Sequence, residues 1–209
     1  MNTEKGYLLI VEDDPDILKL LDTTLKFRGY RVIKAQNGKD GLETVQKERP
    51  ALIITDIMMP KLDGFGLVHR LRLNPETRDI PIVFITATYV TSEDKEFSLN
   101  IGATRFIQKP IDLDRFLAIV AELLKQEVHV AVEPLNEINF YEGYRKRLEA
   151  KLDQKNKQIA REERLLKTRA DEKDEAIQAS LRAAIAEREE LKLLLNQVQK
   201  QLGVHLKPK

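Results

Sequence analysis

Within the first 110 residues of this 209-residue chain, polar residues that could do chemistry close four short apolar runs. Glu12, Asp13 and Asp14 follow Tyr7–Val11, Asp56 follows Ala51–Thr55, Thr86 follows Ile82–Ile85, and Lys109 follows Arg105–Gln108. Three or more carboxylates gathered in one place repel one another unless a cation offsets them, and hard oxygen donors with room for water suit Mg²⁺. A lysine adds a compact point charge suited to a phosphoryl oxygen, and a threonine adds a rotatable hydroxyl donor. Taken singly, each residue has an ordinary reading: Asp14 before Pro15 reads as a helix N-cap, Asp56 as a turn carboxylate, and Lys109 before Pro110 as a loop lysine. Their shared position at the ends of apolar runs is what points to chemistry.

Positioning them requires a sheet. The first ~125 residues alternate apolar runs with amphipathic segments, the pattern of a parallel sheet flanked by helices. Strands are expected at Tyr7–Val11, Arg31–Ala35, Ala51–Thr55, Ile82–Ile85 and Arg105–Gln108. Helices are expected at Pro15–Arg28, Lys39–Glu48, Phe65–Asn74, Ser92–Asn100 and Leu113–Gln126. Ala51-Leu-Ile-Ile and Ile82-Val-Phe-Ile are continuously apolar, as strands covered on both faces should be. Gly29 stands where a helix C-cap glycine would. In such an open α/β sheet, ligands bind beyond the carboxyl ends of the strands, so the six groups would converge.

Residues 5–126 resemble the receiver domain of a two-component response regulator. Four motifs in the right order carry the resemblance: LLIVEDDPDI, LIITDIMMPKLDG, PIVFITA and GATRFIQKPI. It implies a flavodoxin-like, doubly wound, five-stranded parallel sheet of order 2-1-3-4-5. It also implies that Asp56 accepts a phosphoryl group from a histidine kinase or phosphotransfer protein. Glu12 and Asp13, with Asp56 and the backbone carbonyl of Met58, would hold Mg²⁺ or Mn²⁺, Asp13 directly and Glu12 through water. Lys109 would pair with a phosphoryl oxygen, while Thr86 and Phe106 match the pair that reports phosphorylation, hydroxyl moving in and aromatic ring following. Phe106 lacks the hydroxyl that the family's tyrosine variant carries, which argues against a polar readout at that tip. Receivers are not conventional enzymes, although they catalyse their own phosphorylation and dephosphorylation. His69 falls in an amphipathic helix away from these groups and reads as structural or solvated.

The rest of the chain is compositionally different. From Tyr144 to Leu202, 59 residues pass without Gly or Pro, and no aromatic follows Tyr144. A receiver at 1–126, a linker at 127–143, one long coiled-coil helix at 144–203 and a disordered tail at 204–209 are therefore expected. A helix of that length would span roughly 90 Å and needs a partner. Leu152, Ile159 and Leu166 recur every seven residues, and Ile177, Leu181, Ala184, Leu191, Leu195, Val198 and Leu202 follow heptad spacing, which suggests a homodimer with orientation left open. The eleven-residue step from Leu166 to Ile177 reads as a stutter. Lys155, Glu162, Arg169 and Arg188 interrupt the seam.

Composition narrows the function. The 35 Lys+Arg and 34 Asp+Glu leave a net charge of +1, arguing against a generally basic nucleic-acid or membrane-surface protein. With no cysteine there is no disulfide, thiol nucleophile or cysteine metal site, and three scattered histidines make a His-rich metal site improbable. The N-terminus reads as neither signal peptide nor membrane span, which fits a cytoplasmic protein. Residues 145–169 carry ten basic and four acidic side chains, whereas 170–190 carry three and seven. A basic stretch before a leucine-rich zipper raises a DNA-binding alternative, but the intervening acidic block and the lack of a base-reading cluster favour a solvated helix surface. The leading expectation is a phosphorylation-dependent regulator that signals through its helical tail by protein–protein contact. A constitutive scaffold or kinase-docking adaptor is the alternative from another class.

Overall fold

The computed structural model of the chain describes residues 6–87, 91–125, 133–168 and 175–205. They form two units, Met1–Leu135 and Asn136–Lys209.

The first unit alternates β1 (Leu8–Val11), α1 (Pro15–Phe27), β2 (Val32–Ala35), α2 (Gly38–Lys47), β3 (Leu52–Thr55), α3 (Gly64–Leu73), β4 (Ile82–Thr86), α4 (Ser92–Asn100), β5 (Arg105–Gln108) and α5 (Leu113–Lys125). The sheet is wholly parallel, with strand order β2-β1-β3-β4-β5. Helix and strand bounds differ from the sequence expectation by a residue at most, and β4 runs on through Thr86. β1, β3 and β4 are buried along their whole length, as expected for strands sandwiched between helices. Leu8, Ile10, Leu52, Ile54, Val83 and Ile85 pack one face of the sheet against α1 and α5 through Leu18, Leu21, Leu25, Phe116, Val120 and Leu123.

Local chemistry sets the helix ends. Asp14 caps α1, its Oδ1 accepting from the amides of Asp16 and Ile17. At the other end Gly29, with φ of 83°, donates to Lys26 while Tyr30 donates to Leu25. This is the paired bonding of a Schellman stop, which needs a left-handed residue. Thr91 and Asp94 form a reciprocal capping box at α4. Asp112 Oδ1 receives the amides of Asp114 and Arg115 at the start of α5.

In the second unit the structure corrects the sequence expectation. The Gly/Pro-free run is two helices, α6 (Glu137–Thr168) and α7 (Glu175–His205), rather than one helix over 144–203. α6 begins inside the expected linker, and α7 reaches into the segment expected to be disordered. Arg169, 127–132 and 206–209 lie outside the described residues. Lys155 Nζ meets Glu187 Oε2 at 2.6 Å, and Ser180 Oγ donates to Glu162 Oε1 at 2.9 Å, which fixes the helices as antiparallel. The partner the long amphipathic run requires is thus the chain's own other half. Of the heptad positions, Ile159 on α6 and Ala184, Leu191, Val198 and Leu202 on α7 are buried, whereas Leu152, Leu166, Ile177, Leu181 and Leu195 are half-buried; Tyr144 and Leu148 on α6, outside the expected heptad set, are buried as well. Absence of Gly and Pro does not forbid a reversal, because a short, mostly polar segment can turn a chain without either.

Candidate phosphoacceptor site

Backbone hydrogen bonds of the sheet bring the predicted residues together. Asp56 N–H donates to Val11 O at 2.9 Å, fixing the end of β3 beside the end of β1. Glu12 N–H donates to Ala35 O, and Lys109 N–H donates to Thr86 O at 2.9 Å, tying the exits of β4 and β5. Lys109 Nζ then lies 3.0 Å from Glu12 Oε2 and 3.1 Å from Asp56 Oδ2. Asp56 Oδ1 accepts the Ile57 amide at 2.7 Å, so both carboxylate oxygens have donors. Glu12 and Asp56 are buried, whereas Asp13 is exposed at the rim. Ligand oxygens of Glu12, Asp13 and Asp56 lie within 4.8 Å of one another, a donor set that fits a hard divalent cation with open positions for water. Asp14 is occupied in capping α1.

Electrostatics follows from burial. Glu12 is pushed up to about 7, chiefly by burial and next by the Asp56 carboxylate, against the pull of Lys109. Asp13, exposed in part but with its carboxylate partly shielded from water at the rim, is raised mainly by that desolvation. Asp56 is also raised by burial, which outweighs the Lys109 ammonium. Burial alone would lower Lys109, but the Asp56 and Glu12 carboxylates together outweigh it and raise it. Lys109 is therefore a fixed cation at neutral pH, and the acids around it are held together at an electrostatic cost.

Thr86 is buried at the end of β4. Phe106 on β5 is half-buried, with Lys95 Nζ 5.9 Å from its ring centre, and lines a groove of about 500 Å³ with Leu99, Arg105, Gln108 and Arg115. Met58 is half-buried two residues beyond Asp56. His69 is buried in α3, which makes it structural rather than solvated.

Two residues that carry no signal of their own in the sequence support the loop after Asp56. Gly64 N–H donates to Ile57 O at 2.8 Å, and a Cβ on Gly64 would lie 2.2 Å from Asp56 O. Backbone cannot yield as a flexible side chain can, so Gly64→Ala is expected to destabilise the first unit by about 3 kcal/mol or more, measured by denaturant unfolding. A stability within about 0.5 kcal/mol of the parent would show that this approach is not tight. Asp63 caps α3 through Gly66 N–H at 2.8 Å, and its Oδ2 is buried with no hydrogen-bond partner among the described residues. Burial pushes Asp63 up to about 7 against the opposing effects of the Gly66 amide and Arg70. Because the native state holds this proton more tightly than the unfolded chain, its contribution to stability is present at low pH and is lost as pH rises from about 4 to about 7. Asp63→Asn keeps the cap and removes the charge. It should gain on the order of 1 kcal/mol at about pH 8 and flatten that slope; a loss of stability there would contradict this.

The fold and the sequence of the first unit are shared with known proteins. The family model described as "Response regulator receiver domain" matches residues 8–121. The "DNA-binding dual master transcriptional regulator RpaA" of Synechocystis sp. is 38% identical over 119 residues, 57% of this chain and 49% of that protein. The "Probable transcriptional regulator ycf27" of Pyropia yezoensis is 36% identical over 126 residues, 60% and 50% respectively. The chain thus spans about half the length of these curated relatives. The solved chemotaxis response regulator CheY4 of Vibrio cholerae is 30% identical with a TM-score of 0.53, covering 56% of this chain and 98% of that one. Among the described residues no helix is long and apolar enough to cross a membrane. With the sheet order, the convergence of acids and lysine at its carboxyl edge, and a family match over more than half its length, the chain belongs to the response regulator receiver family of two-component signalling.

Proposed function

We propose that Asp56 accepts a phosphoryl group from the phosphohistidine of a sensor histidine kinase or phosphotransfer protein. An Asp56 carboxylate oxygen attacks phosphorus, the phosphorus–nitrogen bond breaks, its electron pair returns to the imidazole, and an acyl phosphate forms. Mg²⁺ or Mn²⁺ held by Glu12, Asp13, Asp56 and the Met58 carbonyl would neutralise charge on the phosphoryl oxygens. Lys109 pairs with one of those oxygens, and the fixed backbone around Ile57 orients the acceptor. Thr86 then bonds the phosphoryl group and Phe106 follows inward, biasing a two-state receiver. The observation that carries this reading is the Lys109 ammonium lying within about 3 Å of both Glu12 and Asp56 at the carboxyl edge of the sheet. Incubating the full chain with a small acyl-phosphate donor and Mg²⁺ should add one phosphoryl group by mass, and chelation should prevent it. No addition while the donor is consumed by another receiver would sink the reading.

The output we assign to the helical hairpin is protein–protein contact, including tail-mediated homodimer formation, in a cytoplasmic protein. A phosphorylation-independent scaffold or kinase-docking role is the alternative. It predicts that a kinase pull-down is unchanged by Asp56→Asn. Similarity to relatives described as transcriptional regulators favours a second reading, binding of nucleic acid through the basic residues of 145–169. That binding would weaken steeply with salt; none at low salt would dispose of it.

A further inference from the structure

Both halves of the acid cluster are tied to one short piece of chain that takes no part in the transfer chemistry. Glu12 and Asp13 follow β1, while Met58 lies in the loop between Asp56 and α3. The turn from β2 into α2 reaches both. At its start Ala35 O accepts the Glu12 N–H at 3.1 Å, and at its end Gly38 N–H donates to Leu62 O at 2.8 Å. Amides in the first turn of a helix have no partner within it, and here the first of them goes to the loop after Asp56. Glycine allows that approach, because a Cβ on Gly38 would lie 2.6 Å from the same Leu62 oxygen. The turn itself is locked. Asn37 is 2% exposed, its Oδ1 accepts the Asp40 amide at 3.0 Å, and its Nδ2 donates to Asp40 Oδ2 at 2.7 Å. Further along α2, a Cβ on Gly41 would lie 3.2 Å from Cγ2 of the fully buried Val11, the residue before Glu12. Helix α2 is thus seated on the exit of β1 as well as on the loop. The loop requires such a hold. Leu62 N–H donates back to Pro60 O at 2.8 Å around Lys61, whose φ is 65°. This is a γ-turn with positive φ at its centre, the rarer and strained form, and such strain persists only where the surroundings over-determine it.

We infer that the Ala35–Gly38 turn is a brace between the two halves of the metal site, fixing the acids that follow β1 relative to the loop that carries Met58. Gly38 is a positioning residue, acting on the site through Leu62. The inference rests on the reading of Asp56 as a Mg²⁺-dependent acceptor and adds to it the residues that hold its ligands in place. A cation drawing ligands from both halves binds best when their spacing is set beforehand, so that binding does not have to order the loop. Displacing the loop weakens binding of the ion, and a higher ion concentration refills the site. The signature of a brace is therefore a raised Mg²⁺ requirement with the rate at saturation little changed. General loss of stability has no such signature.

The test is Mg²⁺ titration of the full chain, followed by amide NMR signals and, separately, by phosphoryl uptake from a small acyl-phosphate donor. For Gly38→Ala both half-saturation concentrations should rise by about 10-fold or more, the range for losing a group that orients metal ligands, while uptake at saturating Mg²⁺ stays within about 3-fold of the parent. Gly41→Ala should shift both the same way by less, since the methyls of Val11 can yield where a carbonyl cannot. Alanine also favours the helix, so this variant decides the matter if Gly38→Ala does not fold. Glu43→Gly weakens α2 at an exposed position away from the turn; it should lower the melting temperature and leave both half-saturation values unchanged. Half-saturation within about 2-fold of the parent in both alanine variants, or an equal rise in Glu43→Gly, would overturn the brace while leaving Asp56 as acceptor. A parent that neither binds Mg²⁺ nor takes up a phosphoryl group would overturn both.

Discussion

Asp56→Asn is expected to abolish phosphoryl uptake, a loss of at least about 10³-fold in transfer rate, while making the metal-free protein more stable rather than less. The first half follows from chemistry, since an amide oxygen is not the nucleophile that a carboxylate is. The second half is a contest between two effects. Removing the charge forfeits the ion pair to Lys109 at 3.1 Å, which opposes stability. It also relieves a buried carboxylate beside Glu12 and Asp13, and burial already outweighs the lysine in setting the Asp56 proton affinity. Relief should therefore win by about 1 kcal/mol in metal-free buffer. Phosphotransfer kinetics and denaturant unfolding read the two halves independently. Retained uptake with phosphate on Asp56's neighbours would remove Asp56 from its role; a destabilised variant would show that losing the Lys109 ion pair costs more than relieving the buried charge gains.

Lys109→Ala should slow phosphoryl transfer by about 10²- to 10³-fold, the range for losing one fixed charge aimed at a transferring group. Its effect on pH dependence is equally specific. In the parent, burial pushes Glu12 up to about 7, well above the usual carboxylate range, so the metal-free native state holds a proton that the unfolded chain has lost. Stability from this group is complete below about 4.5 and declines as pH rises to about 7. Without the ammonium, Glu12 and Asp56 lose a cation that pulls both downward, and their native values rise further. The decline with pH should steepen and extend upward in pH, and Mg²⁺ should reverse part of it. Thermal melts between about pH 5 and 8, with and without Mg²⁺, measure this. A pH profile identical to the parent would mean that Lys109 does not offset these acids.

The receiver was legible because each of its elements carries a local signal. Asp14-Pro15 and Gly29 bracket α1, uninterrupted apolar runs mark the buried strands, and the candidate site groups stand at the ends of those runs, where a parallel sheet must collect them. Gly64 and Asp63 were harder to see. Their importance comes from a close backbone approach and from burial of a cap, neither of which residue type or spacing announces. The hairpin was misread for a related reason. Heptad spacing reports that a helix face is apolar, and it is silent on whether the partner is another chain or the same one turned back. Only tertiary pairs such as Lys155 with Glu187 decide that. Phe106 lies between these cases. Its position on β5 was foreseen, while its place in a surface groove beside Lys95 depends on packing of α4.

The most direct measurement is to map the phosphoryl group itself. The full chain would be exposed to an autophosphorylated histidine kinase and Mg²⁺, digested quickly, and its acyl phosphate located by reductive trapping and peptide mass. The predicted result is a single modified site at Asp56, absent when Mg²⁺ is chelated. A modification at any other residue, or none while the kinase delivers its phosphoryl group to another receiver, would contradict it.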